Sequence, residues 1–204
     1  MDAFIKNHPV IAILRGVNPN EVVNIALCLY QNGIRVIEVP LNSPNALNSI
    51  SNLVLSMPKD CLIGAGTVLT LAQAKQVENT GAKLIISPHC DTGIIEYCIL
   101  KNLYVIPGIA TATEAFSAYH AGAKWLKLFP AQTYGFSHLK ALKSVLPNDV
   151  HIIPVGGVSK SNMLQWLAAD ASAVGIGNSL YKSGDNLAQV KNNVTLLNEN
   201  LTTV

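Results

Sequence analysis

Short apolar runs and amphipathic stretches alternate along this chain with a regular beat. Val10–Leu14 is an unbroken apolar run of strand length, closed by Arg15-Gly16. Pro19 then opens a helical pattern with apolar Val22, Val23, Ala26, Leu27 and Leu29, which runs to Tyr30 and is stopped by Gly33. The same order of events recurs to the end of the chain. Strands are predicted over Arg35–Val39, Cys61–Ala65, Lys83–Ile86, Leu103–Ile106, Lys124–Pro130, His151–Val155 and Ala173–Ile176. Helices are predicted over Pro44–Ser56, Leu71–Asn79, Asp91–Leu100 and Thr111–His120, then over a segment ending near Leu146, Ser161–Ala168 and Asn186–Leu197. Ala131–Gly135 reads as a looser loop, and Thr111-Ala112-Thr113-Glu114 as a capping box.

The strands are apolar throughout instead of alternating, which is the pattern of a parallel sheet covered on both faces. Eight strand-then-helix units in 204 residues predict an α/β chain folded as one (β/α)8 barrel, a TIM barrel, with a single domain over residues 1–204. An internal repeat agrees. Gly33-Ile34-Arg35-Val36-Ile37-Glu38, Gly81-Ala82-Lys83-Leu84-Ile85-Ile86 and Gly122-Ala123-Lys124-Trp125-Leu126-Lys127 share one frame, a helix-ending glycine followed by a strand. Side chains alternate along a strand with period two, so Glu38 and Lys127, at equivalent places, are expected to face the barrel lumen together.

Composition narrows the partners. Half of the residues are hydrophobic, 13% are charged and the net charge is +2, enough apolar surface for one well-buried core. No basic run suggests a nucleic-acid partner, and no apolar run reaches membrane-spanning length. The N-terminus lacks the pattern of a secretory signal, so a cytoplasmic location is expected. Cys28, Cys61, Cys90 and Cys98 have no metal-site spacing and read as reduced thiols, and His89-Cys90 points its two side chains apart on extended chain. No metal is expected.

The chemistry gathers at the C-terminal ends of the strands, where barrels of this kind carry their sites. Those ends bear Arg15, Glu38, Thr67, Ser87, Pro107-Gly108, Lys127, Gly156-Gly157 and Gly177-Asn178. An ammonium within an apolar strand is costly unless it is paired or gives up its proton. A lysine that gives it up becomes a nucleophile for carbonyl carbons. Lys127 would then form a Schiff base with a ketone, with Glu38 shuttling protons to and from the intermediate. Plainer readings stand beside these: Lys127 snorkels out of its strand end, and Glu38 is an outward carboxylate. Arg15, one of two arginines in the chain, suits a carboxylate, and Thr67 adds a hydrogen bond to the same group. The glycine turns after the seventh and eighth strands suit a phosphate, with helix starts adding a favourable dipole, unless they serve only as tight turns. Ser87-Pro88 and Pro107-Gly108 shape the rim.

These residues resemble a known family, the small class I aldolases that split 2-keto-3-deoxy-6-phospho sugar acids into pyruvate and glyceraldehyde 3-phosphate. The resemblance is carried by Ile13-Leu14-Arg15-Gly16, Ile37-Glu38-Val39-Pro40-Leu41-Asn42-Ser43-Pro44, Gly64-Ala65-Gly66-Thr67-Val68-Leu69, Lys127-Leu128-Phe129-Pro130, Val155-Gly156-Gly157-Val158 and Gly175-Ile176-Gly177. It implies that Lys127 is the Schiff-base lysine and Glu38 the proton shuttle. Arg15 and Thr67 would hold the pyruvate part, and Gly156, Gly157, Gly177 and Asn178 the phosphate. It also implies a phosphorylated keto sugar acid as substrate, no cofactor, no metal and a homotrimer. Two departures stand out. The phosphogluconate branch carries an arginine in a Thr-Leu-Arg-Thr-like run where this chain has Pro40-Leu41-Asn42-Ser43, and Arg15 appears instead. That arrangement, with Ala110-Thr111-Ala112-Thr113-Glu114-Ala115-Phe116, resembles the phosphogalactonate branch. Position 178, commonly serine in the family, is Asn178. Two other readings compete: a sugar-phosphate epimerase or isomerase using Glu38 as its base, and a silent phosphosugar-binding protein that keeps the glycine turns.

Overall fold

A computed structural model describes residues 1–6 and 8–201 of the chain. A short helix, α1 (Asp2–Ile5), precedes β1 (Val10–Ile13), α2 (Val22–Gln31), β2 (Val36–Pro40), α3 (Ala46–Ser56), β3 (Leu62–Gly66), α4 (Leu71–Asn79) and β4 (Leu84–Ile86). There follow α5 (Thr92–Leu100), β5 (Tyr104–Ile106), β6 (Gly108–Ile109), α6 (Ala112–His120), β7 (Trp125–Leu128), α7 (Ala131–Val145), β8 (His151–Pro154), α8 (Met163–Ala168), β9 (Val174–Ile176) and α9 (Leu187–Leu201). No helix among the described residues is long and apolar enough to cross a membrane.

The strands are parallel throughout. Six form a curled sheet in the order β5-β4-β3-β2-β1-β9, and β6, β7 and β8 form a second. One residue, Pro107, separates β5 from β6. It has no N–H to give a ladder, yet its carbonyl accepts from Lys127 N at 2.8 Å. At the other side, a parallel bridge joins Val155 to Gly175, and Ser172 N donates to the Ile152 carbonyl at 3.0 Å. Both seams between the sheets are therefore hydrogen-bonded.

Alternation along the strands sorts the side chains into two clusters. Val10, Ala12, Leu14, Ile37, Val39, Ile63, Ala65, Ile85, Leu126, Leu128, Ile152, Val174 and Ile176 face the helices. Ile11, Val36, Leu62, Leu84, Ile86, Ile106, Trp125, Ile153 and Ala173 face inward. The inner cluster is closed at its lower end by α1, whose Ile5 is buried within it while Met1 and Phe4 pack alongside. Phe4 meets Tyr104 edge-on at 6.1 Å, and His151 stacks on Trp125 at 4.1 Å.

The expected order of strands and helices is present, with boundaries shifted by a few residues. The capping box forms as expected, with Thr111 Oγ1 accepting from Glu114 N while the Glu114 carboxylate accepts from Thr111 N. Ala131–Gly135 is a correction. Ala131–Tyr134 is already helical, and the interruption is confined to Gly135 at φ 75° and ψ 176°. At four residues, α1 is too short for any periodicity to show in the sequence.

If α1 plugs the inner core, Ile5→Ala should cost about 2–4 kcal/mol, the usual range for a buried isoleucine cut to alanine. Leu55→Ala, at a side chain 85% exposed, should change stability by less than about 0.5 kcal/mol. Urea unfolding of the two variants checks this, and equal effects would show that α1 is not part of the core.

Candidate active site

Glu38 lies on β2 two residues after Val36, and Lys127 on β7 two residues after Trp125. Since Val36 and Trp125 belong to the inner cluster, period two turns Glu38 and Lys127 to the inner face as well. Both are buried, at 2% and 5% exposure, among the few polar side chains the interior holds. Glu38 pairs with Ile13 on one side and Gly64 on the other, while Lys127 pairs with Gly108 and Ile153.

The carboxylate of Glu38 occupies space that glycine leaves open. A Cβ added at Gly66 would stand 1.9 Å from Glu38 Oε2. Glu38 Oε2 is buried and has no hydrogen-bond partner within the protein. Burial raises its carboxyl pKa to about 7, against the opposing pull of Lys127, Arg15 and a backbone hydrogen bond at Gly66. Burial likewise lowers the Lys127 pKa, with Glu38 pulling it back up and Arg15 pushing it further down. Each group is thus driven toward its neutral form by lost hydration and toward its charged form by the other. Lys127 Nζ also sits 4.7 Å from the centre of the Phe129 ring, on the same side of the strand.

Phe129 joins this pair to an open cavity of about 610 Å³ at the C-terminal strand ends. Arg15, Gly156, Gly157, Gly177 and Asn178 all line that cavity, so the structure gathers five of the sequence-derived site residues around one space. Ile13, Phe129 and Val155 form its apolar wall toward the inner face. Gly156 and Gly157 have φ of 93° and 77°, where a side chain would be strained. At Gly157 a Cβ would also strike Gln132 Oε1 at 2.3 Å. Arg15 is exposed, and its Nη1 donates to Asn42 Oδ1 at 3.1 Å. Its loop is held by Gly16 N donating to Ser43 Oγ at 2.9 Å and by Ser183 Oγ donating to the Gly16 carbonyl at 3.1 Å.

Thr67 follows β3 directly, is half-buried and has φ 56°, an uncommon conformation for a β-branched residue. It does not line the cavity. The helices that follow the glycine turns begin at Met163 and Leu187, close to the expected Ser161 and Asn186, and a single helical turn at Gly177 is closed by Tyr181 N donating to the Gly177 carbonyl at 3.0 Å. Gln132, Ser159, Ser179 and Lys182 line the cavity and were missed in the sequence. Ser159, Ser179 and Lys182 lie within a few residues of the glycine turns, the one signal that pointed to them. Among the described residues, no group of three His, Cys, Asp or Glu side chains is placed to hold a metal ion.

With this geometry in view, known proteins give a consistent answer. A family model described as KDPG and KHG aldolase matches residues 1–194. A protein of Rhizobium meliloti named probable 2-dehydro-3-deoxy-6-phosphogalactonate aldolase is 43% identical over 90% of this chain and 86% of its own. The 2-dehydro-3-deoxy-6-phosphogalactonate aldolase of Escherichia coli is 41% identical over 88% of this chain and 87% of its own. A Treponema pallidum protein named 2-dehydro-3-deoxy-phosphogluconate aldolase is 32% identical over 72% of this chain and 70% of its own. A solved structure described as native KDPGal superposes with a TM-score of 0.93 at 37% identity, covering 96% of this chain and 95% of its own.

The raised pKa of Glu38 has a consequence for stability. Between pH 4.5 and about 7 the folded state holds a proton that the unfolded state has released, so stability falls as pH rises and stays lowered above 7. Glu38→Gln keeps the shape without the titration. Its stability relative to the unsubstituted protein should therefore grow from pH 5 to pH 8, as followed by thermal unfolding at each pH. A difference independent of pH would mean that Glu38 is not desolvated.

Proposed function

The chain belongs to the KDPG and KHG aldolase family, and from that membership we propose that it cleaves 2-dehydro-3-deoxy-6-phosphogalactonate to pyruvate and D-glyceraldehyde 3-phosphate through a Schiff base on Lys127. It is an aldolase, hence a lyase, as its relatives' names state. The observation that carries the mechanism is the burial of Lys127 and Glu38 on one inner face beside a cavity lined by Arg15 and the glycine turns.

The neutral Lys127 amine attacks the substrate C2 ketone, and loss of water leaves a protonated imine. The C4 hydroxyl then gives its proton to Glu38, directly or through water, as the C3–C4 bond breaks. The bonding electrons flow into the iminium, which becomes the enamine of pyruvate, and the aldehyde departs. Glu38 returns its proton to C3, and water hydrolyses the imine to release pyruvate and restore Lys127. A carboxyl group with a pKa near 7 suits both halves of this exchange at neutral pH. In this reading Arg15 and Thr67 hold the pyruvate carboxylate, and Gly156, Gly157, Gly177 and Asn178 receive the phosphate through backbone amides.

The same reading extends to architecture. The two parallel sheets close into a single (β/α)8 barrel, one domain. The Lys127 bond to Pro107 and the Val155–Gly175 bridge support that closure. Leu100, 78% exposed, supplies apolar surface for the homotrimer that the family resemblance implies. The cytoplasm is its expected location.

The choice of galactonate over gluconate rests on the phosphogalactonate names of the relatives at 43% and 41% identity, against 32% for the gluconate-named relative. Arg15 and Asn42 support it, since their hydrogen bond forms where the gluconate branch carries an arginine after the second strand. The two substrates differ only at the C4 hydroxyl, so the anchors at either end hold both alike. Measured under identical conditions, kcat/KM should be higher for the galactonate-derived substrate, by about 10-fold or more for one buried hydroxyl left unpaired in its epimer. Equal values would make it a broad-specificity aldolase. A gluconate preference would refute the reading of Arg15 and Asn42.

A further inference from the structure

We propose that Lys182 supplies the cation that binds the substrate phosphate, an inference that rests on the phospho sugar acid reading above. A phosphate monoester carries close to two negative charges at neutral pH. The glycine turns at Gly156-Gly157 and Gly177-Asn178 offer it neutral backbone amides. No full helix begins at either turn to add the dipole of a long helix, because α8 and α9 start further along and the turn at Gly177 is a single one. Arg15 is spoken for at its Nη1 by Asn42. The cavity holds one further cationic side chain, Lys182, which lines it together with Gly156, Gly157, Ser159, Gly177, Asn178 and Ser179.

The backbone around Lys182 is pinned while its ammonium is left free. Leu180 N and Tyr181 N donate to the Gly177 carbonyl at 2.8 and 3.0 Å, which ties this segment to the glycine turn itself. Tyr181 is fully buried, and its hydroxyl donates to Glu21 Oε1 at 2.9 Å. Lys182 N donates to Asp185 Oδ2 at 2.9 Å, and Ser183 Oγ to the Gly16 carbonyl. The Lys182 side chain is exposed and forms none of the ion pairs among the described residues. A cation on a fixed stem beside an anion cradle, with no partner of its own, is arranged in advance for its ligand. Ser179 adds an independent sign. Its hydroxyl oxygen is buried at the same cavity without a hydrogen-bond partner, which leaves its O–H available to donate to an anion there.

Lys160 provides the comparison. It lines the neighbouring recess with Asn178, Ser179 and Lys182, but not the cavity itself. Inorganic phosphate is titrated by calorimetry into the unsubstituted protein, Lys182→Met, Lys182→Arg and Lys160→Met. Phosphate should bind about 10- to 100-fold more weakly to Lys182→Met, the usual range for one charge-assisted contact. Lys182→Arg should keep most of the affinity and Lys160→Met all of it. In addition to pyruvate, the preference for D-glyceraldehyde 3-phosphate over unphosphorylated glyceraldehyde should fall by a similar factor in Lys182→Met. That preference is a ratio of kcat/KM values, so a general loss of activity cancels. Unchanged phosphate affinity in Lys182→Met, or equal weakening in Lys160→Met, would overturn the assignment. Phosphate binding that depends on Lys182 in a protein that joins neither aldehyde to pyruvate would uphold it and overturn the aldolase reading instead.

Discussion

Two ionisable side chains face each other across an apolar interior, and the cost of removing them from water governs the rest of the site. Lys127 and Glu38 could each lower that cost by becoming neutral, and each is pulled back toward charge by the other. The balance leaves a carboxyl group that titrates near neutrality and an amine easier to deprotonate than one in water. A pair of salt-bridged surface residues would have neither property. The fold supplies it by setting both groups at equivalent registers of two strands, above an inner core closed from below by α1.

Small residues make the arrangement possible. Gly66 leaves room for the Glu38 carboxylate, and Gly175 leaves room for Val155, whose Cγ2 would lie 2.6 Å from an added Cβ. Reaction chemistry and recognition are thereby separated in space. The ionisable pair is buried beside Phe129, while the open cavity that Phe129 lines gathers Arg15, the glycine turns and Lys182. In the proposed aldolase reading, such separation lets one end of a phospho sugar acid react in a dry environment while its phosphate remains near solvent.

Much of this was legible in the sequence because it rests on local pattern. The Leu71–Asn79 helix was delimited to the residue, where Thr70 caps it by accepting from Gln73 N. The shared frame after Gly33 and Gly122 placed Glu38 and Lys127 on one face before any coordinates did, since period two is a property of every strand. What escaped detection depends on tertiary context. Helical backbone at Ala131–Tyr134 was hidden by Gly135, which ends a turn there without preventing one from forming. The break between β5 and β6 follows from a proline whose carbonyl still pairs. Lys182, Ser159 and Gln132 belong to loops and a helix start that only the tertiary arrangement of strand ends brings to one cavity. Thr67, like Glu38 and Lys127, stands outside the lining of that cavity, and its left-handed backbone at φ 56° is a feature its motif did not reveal.

A covalent link between substrate and the buried Lys127 amine is read most directly by borohydride reduction in the presence of pyruvate, followed by peptide mass mapping. If Lys127 forms the Schiff base, activity is lost and one reduced three-carbon adduct is found, located on Lys127. An adduct on the exposed Lys124 or Lys140 instead, or inactivation with no adduct at all, would contradict it.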